Sequence, residues 1–199
     1  MFREADRADS IFLLDSGLVK LSRHIDSNHK TIVRLVRPGQ LIGDRALSGV
    51  NQQRYTAHAL ADSTVWEIGR DQFRQTCDES TAVLAWITEQ VEARLDEVQR
   101  RVELIAYARV EARILALLAE LAEGVLESMP DLHAVAIPLS QSEIAQLIGA
   151  TRETASTTLN QLARRNLVRL GRRQIEVVSL DAVREASLFR EQRAASAHA

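Results

Sequence analysis

The sequence predicts an α+β chain: an N-terminal antiparallel β-roll, one long dimerisation helix and a C-terminal winged helix-turn-helix. Three observations predict it. Short apolar runs separated by turn residues fill positions 11 to 70. From Thr81 to Ala108 there is neither Gly nor Pro, and apolar residues recur at helical spacing. The stretch LSQSEIAQLIGATRETASTTLNQL, residues 139–162, reads as two short polar-faced helices meeting at a glycine.

The strands come first. IFLLDSGLVKL turns at Gly17, TIVRLVRPGQLIG turns at Pro38–Gly39, and STVWEIG adds a further apolar strand. Closely spaced strands with such turn signals suggest a small antiparallel roll or barrel. In the helix that follows, Leu84, Ile87, Val91, Leu95, Val98, Val102 and Ile105 form a stripe whose later steps are close to heptad alternation. Such a stripe can pack on the roll of its own chain. A length of about 28 residues, roughly 40 Å at 1.5 Å per residue, favours a partner helix instead. The expected seam of a parallel homodimer is Val91, Leu95, Val98, Val102 and Ile105, flanked by charges including Glu92, Arg94, Glu97 and Arg101.

RVEARILALLAELAEG reads as a second amphipathic helix ending at Gly124 as its C-cap. Ser128–Asp131 reads as a loop, and AVAIPL as a strand ending at Pro138. Ser140 and Glu143 have capping-box spacing, so a short helix starts there. Gly149 marks the turn, because a residue free to adopt positive φ fits between closely packed helices. Thr151 caps the next helix, whose Ala155, Leu159, Leu162 and Ala163 face inward, leaving Arg152, Glu153, Ser156, Thr157 and Asn160 outward. LVRL, Gly171–Arg172–Arg173 and IEVV then read as a basic hairpin wing.

Composition sets the class. The chain has 199 residues, 46% apolar content and a formal charge of −2. From Ser140 onward nine arginines, no lysine and six acids give +3, and Thr151–Ile175 alone carries +5. A basic patch on an acidic body suits phosphate neutralisation, although it also occurs as plain solvated surface. No apolar run approaches the roughly 20 residues of a membrane span. MFREADRADS lacks signal-peptide order, so a cytoplasmic location is expected. A single cysteine, Cys77, excludes an internal disulfide, and the lone thiol reads as structural. The five histidines, His24, His29, His58, His133 and His198, lack metal-ligand spacing. No phosphate-binding loop or nucleophile motif supports an enzyme, and neither a cofactor nor a metal is expected.

The stretch LSQSEIAQLIGATRETASTTLNQLARRNLV resembles the DNA-reading motif of the bacterial catabolite-activator and fumarate-nitrate regulator (CRP/FNR) transcription factors. RPGQLIGDRALSG with Arg54 resembles the segment that holds sugar and phosphate in nucleotide-binding members. The resemblance runs from about Asp9 to Val183. It implies a roll of the cyclic-nucleotide-binding type at 1–80, a dimerisation helix at 81–108, a winged helix-turn-helix at 109–185 and a tail at 186–199. It also implies double-stranded DNA and RNA polymerase as partners. Relative to larger members the roll starts late, so a roll trimmed on one edge is expected. Iron–sulfur sensing through an N-terminal cysteine cluster is not expected.

Chemistry and resemblance together single out residues. Arg152 can fork onto guanine O6 and N7, and Glu153 can accept from cytosine N4. The competing roles are a phosphate contact for Arg152 and a helix-dipole charge for Glu153. Many relatives carry a second guanine-reading Arg where this chain has Thr157, so an altered preference at one base pair is expected. Ser156 completes the base-reading set, and Ser140, Gln141, Thr151, Thr154, Arg172 and Arg173 are the expected backbone contacts. For an effector, Gly43, Asp44 and Arg54 could hold a sugar phosphate. Tyr55 replaces a small hydroxyl residue, Arg45 adds a charge, and Val98–Gln99 replaces the base-contacting Thr-Ser pair of the resembled family. The pocket therefore reads as vestigial or retuned, with no small-molecule effector, or one other than cyclic AMP, ahead of cyclic AMP. A ligand-dependent switch would pivot at Ala106–Arg109. A protein-interaction module without DNA affinity is the remaining alternative.

Overall fold

The computed structural model describes residues 1–26, 30–126, 132 and 134–186, with Arg45 and Ala46 described by backbone alone. The expected loop at Ser128–Asp131, His29, His133, His198 and the tail from residue 187 lie outside the described residues. The chain divides into two compact units, Met1–Val98 and a second that begins at Gln99.

In the first unit, β1 (Ser10–Ser16), β2 (Val19–His24), β3 (Lys30–Val36), β4 (Leu41–Ile42), β5 (Thr56–Ala59) and β6 (Thr64–Gly69) form two three-stranded sheets. Their orders are β4-β1-β6 and β3-β2-β5, antiparallel throughout. The unbroken apolar run of β1 has a simple cause. Ile11 and Leu13 join one cluster with Leu41, Phe73 and Cys77. Phe12 and Leu14 join another with Val19, Leu21, Val36, Ile42 and Ala57. A strand buried on both faces needs apolar side chains at consecutive positions.

Beside the 3-10 turn at Asp44–Ser48, two elements here escape the sequence reading. One is the short strand β5. The other is α1 (Arg70–Glu79), whose sequence RDQFRQTCDE buries only Phe73 and Cys77. Those two lie one turn apart, so a single narrow contact with the sheet holds a helix whose remaining residues are polar. The lone thiol is a packing residue in the last turn of α1, and burial, with a smaller contribution from Asp78, raises its pKa.

The expected long helix is α2 (Thr81–Tyr107), and none of its 27 residues is buried. Val83, Trp86 and Ile87 are partly buried against the β1 cluster. Leu84, Val91, Leu95, Val98, Val102 and Ile105 are all exposed, between 45% and 61%.

After a break at Ala108–Arg109, the second unit continues with α3 (Val110–Leu126), β7 (Val135–Ile137), α4 (Gln141–Ile148), α5 (Arg152–Arg164), β8 (Val168–Gly171) and β9 (Gln174–Val177). Its sheet has the order β7-β9-β8. Gly124 corrects the expectation of a helix end: α3 runs through it to Leu126. Glycine in a helix costs about 1 kcal/mol relative to alanine, which the apolar face of α3 outweighs. Ile114, Leu115, Leu118, Ile137, Leu139, Ile144, Leu159 and Leu162 are fully buried. No described helix is long and apolar enough to cross a membrane.

Candidate nucleic-acid interface

The helix pair is set by its ends. Ser140 caps α4: its hydroxyl accepts from Glu143 N at 3.3 Å and donates to Glu143 Oε2 at 2.7 Å. Glu143 Oε2 also accepts from Ser140 N at 2.9 Å, completing the reciprocal box. Gly149 ends α4 in the left-handed conformation, φ 65° and ψ 44°. A Cβ built there would stand 3.4 Å from Ile105 Cδ1, an ordinary contact, so the backbone conformation rather than space demands glycine.

An arginine that the sequence reading passed over fixes this turn. Arg113 Nη1 donates to the Ile148 carbonyl at 2.9 Å, and its Nε donates to the Ala108 carbonyl at 3.1 Å. Arg113 thus ties the α2–α3 break to the end of α4. A second tie is ionic: Arg165, the C-cap of α5, meets Glu111 in the first turn of α3 at 2.5 Å. Glu111 is only 8% exposed. The first turn of α3 therefore grips both helices of the pair.

Thr151 caps α5 by accepting from Thr154 N at 3.2 Å, and the two hydroxyls lie 2.8 Å apart. Ala155, Leu159 and Leu162 are wholly buried, as the apolar spacing requires, and Ala163 is half-buried. Thr158 is buried as well, its hydroxyl donating to the Thr154 carbonyl at 2.9 Å. Arg152, Glu153, Thr157 and Asn160 are exposed, while Ser156 is half-buried. At the wing, β8 and β9 are joined by Arg172–Arg173, both exposed. Arg173 takes φ 59°, a conformation that costs a non-glycine residue roughly 1–2 kcal/mol.

From Arg113 onward the described arginines divide into two groups. Arg113, Arg165, Arg169 and Arg184 are engaged within the fold, the last two with Glu176 and Glu123. Arg152, Arg164, Arg172 and Arg173 are exposed and have no hydrogen-bond or ion-pair partner among the described residues. The second group occupies the two ends of α5 and the wing tip. Arg164 at the far end of α5 was not singled out from the sequence.

The expected effector residues differ in burial and in partners. Gly43 has φ 81°, and a Cβ there would come 3.1 Å from the Ser10 carbonyl. Asp44 pairs with Arg94 of α2 at 2.8 Å. Arg54 is exposed, whereas Tyr55 packs against the cluster between the two sheets. Val98 and Gln99 are exposed, and the side chain of Arg45 lies outside the described residues. Arg34 on β3, not anticipated, is buried.

Comparison with known proteins gives a consistent picture. Residues 1–80 match the cyclic nucleotide-binding domain family, and residues 112–186 match the Crp-like helix-turn-helix domain family. The chain is 28% identical over 184 residues to the transcriptional regulator SdrP of Thermus thermophilus, covering 92% of this chain and 87% of that protein. It is 28% identical over 193 residues to the cyclic AMP receptor protein of the same organism, covering 96% of this chain and 82% of that protein. Among solved structures, FixK2 from Bradyrhizobium japonicum superposes with a TM-score of 0.75 at 20% identity, over 93% of this chain and 90% of that one. A CRP-family transcriptional regulator from Thermus thermophilus superposes with a TM-score of 0.74 at 22% identity, over 94% of this chain and 92% of that one.

Proposed function

The chain belongs to the CRP/FNR family of transcription regulators, which are not enzymes, and it carries that family's helix-turn-helix DNA-binding domain; from that premise we propose that it binds DNA as a homodimer on a pseudo-palindromic site, without cyclic AMP. The observation that carries the DNA-reading assignment is the outer face of α5. Its inner face is locked in the core, while Arg152 and Glu153 at its start reach solvent with no partner among the described residues. Arg152 forks onto a guanine and Glu153 accepts from cytosine, both at the helix N-terminus that such domains insert into the major groove. Ser156 and Thr157 complete the reading face, with Thr157 offering one hydrogen bond or a methyl contact.

Arg172 and Arg173 neutralise phosphates from the wing, and Thr151 and Thr154 contact phosphates at the start of α5. Ser140 and Gln141 contact phosphates at the start of α4, where the Ser140 hydroxyl, like that of Thr151, also caps its own helix. Pairing of two α2 helices along Val91, Leu95, Val98, Val102 and Ile105 removes from water a continuous stripe that a lone chain exposes. Two recognition helices then enter successive major grooves about 34 Å apart. RNA polymerase is the onward partner, and the protein works in the cytoplasm.

Independence from cyclic AMP is supported by the exposed Arg54, by Tyr55 packed where a small hydroxyl residue is needed, and by Val98–Gln99 on α2. The test is selection of DNA sites by purified, ligand-free protein, repeated with cyclic AMP. Enrichment of a two-fold site containing G·C half-sites in both arms is expected. Enrichment only with cyclic AMP would overturn the effector reading. Affinity that is absent, or insensitive to salt and sequence, would make the chain a protein-interaction module instead.

A further inference from the structure

Arg164 and Arg165 are neighbours at the end of α5 whose side chains go separate ways. Arg165 turns back toward α3 and holds the carboxylate of Glu111. Arg164 is exposed and has no hydrogen-bond or ion-pair partner among the described residues. The simplest role for such a residue is a cation that offsets the negative end of the helix dipole. The periodicity of α5 gives it a more definite place.

An α-helix turns by about 100° per residue, so Glu153, Asn160 and Arg164 fall within about 20° of one line along α5. Thr157 lies about 40° from Glu153, and all four are exposed. The buried residues Ala155, Thr158, Leu159 and Leu162 occupy the opposite side. Arg165 is rotated about 100° beyond Arg164, toward that buried side, and its guanidinium reaches Glu111 instead. Helices lying in the major groove read base edges with residues spaced i, i+3, i+4 and i+7. Glu153, Ser156, Thr157 and Asn160 have that spacing, and Arg164 comes one turn further on.

We propose that Arg164 is a DNA-backbone contact, its guanidinium binding a phosphate on the groove wall where α5 leaves the base edges of each half-site. The inference rests on the assignment of α5 to the major groove. A straight helix of 13 residues is about 20 Å long, whereas the groove is about 12 Å wide, so its far end passes the sugar-phosphate wall. The carbonyls at a helix C-terminus repel phosphate, and a cation in the last turn offsets them while neutralising the anion. Glu153 is the only acid in α5 and stands at its other end, so no carboxylate of the helix competes for Arg164. A phosphate held there fixes the depth and tilt of α5 without itself reading sequence. Arg152 and Arg164 then divide the work, base edge at one end of the helix and backbone at the other.

The test is affinity for the selected two-fold site and for an unrelated duplex, titrated against salt with the full-length wild type, Arg164→Gln and Arg164→Lys. Arg164→Gln should lower the salt slope by about 0.9 per subunit, or about 1.8 for a dimer. It should weaken both duplexes alike and leave base preference over randomised half-sites unchanged, unlike Arg152→Ala. Arg164→Lys keeps the charge and should keep most of the slope. A residue serving only the helix end would alter thermal unfolding and leave the slope at its wild-type value. The proposal is overturned if Arg164→Gln keeps the wild-type slope, if it flattens preference at a base pair, or if Arg164→Lys loses as much slope as Arg164→Gln. A wild type without salt-dependent DNA affinity is a distinct outcome, which overturns the major-groove assignment of α5 and this contact with it.

Discussion

Replacing Arg152 with alanine should separate DNA recognition from folding. The side chain is exposed, opens α5 directly after the Thr151 cap, and has no partner among the described residues. Its removal should therefore change stability by no more than about 0.5 kcal/mol. A cation at a helix N-terminus is unfavourable by about 0.3–1 kcal/mol, so the sign of any change should be stabilising. Recognition behaves differently. One bidentate arginine–guanine pair discriminates by about 1–3 kcal/mol, and a homodimer uses two. The loss for a two-fold site is then roughly 2–6 kcal/mol, or about 30-fold to more than 10⁴-fold in affinity. Fluorescence anisotropy on the selected site measures the loss, thermal unfolding measures stability, and selection over randomised half-sites measures specificity. Preference should flatten at one base pair per half-site. If the variant binds more weakly yet keeps the same base preference, with a salt slope lowered by about one unit per subunit, Arg152 is a phosphate contact and the base-reading argument is wrong.

Other perturbations test the remaining parts. Arg172→Ala at the wing tip should weaken all sequences alike and lower the salt slope by about 0.9 for each phosphate no longer neutralised, read by titrating affinity against salt. Gly149→Ala puts a side chain at φ 65° and should cost about 1–2 kcal/mol of stability, visible in thermal or denaturant unfolding; no loss would mean the turn relaxes. Val98→Glu places like charges on both helices of the expected seam, so sedimentation should show dissociation toward monomer together with lost affinity for two-fold sites. Cys77, buried and with its thiol pKa raised, should react with alkylating reagents far more slowly in the folded chain than in denaturant; equal rates would contradict its packing in α1.

Much of this protein was legible in its residues because the relevant physics is local. Ser140 and Glu143 are three residues apart and close their box within one helical turn. Gly149, set between two apolar-patterned helices, takes the left-handed turn that its place calls for, and the spacing of Ala155, Leu159 and Leu162 divides α5 into an inner and an outer face. The long stripe of α2 was likewise a matter of periodicity. Gly124 shows the weakness of such signals when taken one at a time, since a helix with a strong apolar face runs straight through it.

What only the tertiary structure decided concerns polar residues whose partners lie far away in sequence. Nothing in RDQFRQTCDE marks a helix until Phe73 and Cys77 meet the β1 cluster. Arg113 reaches a carbonyl 35 residues on, and Arg165 a carboxylate 54 residues back, so their roles as ties could not be told from surface charge. Nothing in TIVRLV sets Arg34 apart, whereas the β2–β3 register directs it inward. Sequence by itself determined most of the elements, though not β5 or α1, and the face of α5, because caps, periodicity and turn conformations act over a few residues. The fold decided which charges are engaged internally and which remain unpaired, because charges are paired by distance in space rather than by separation along the chain.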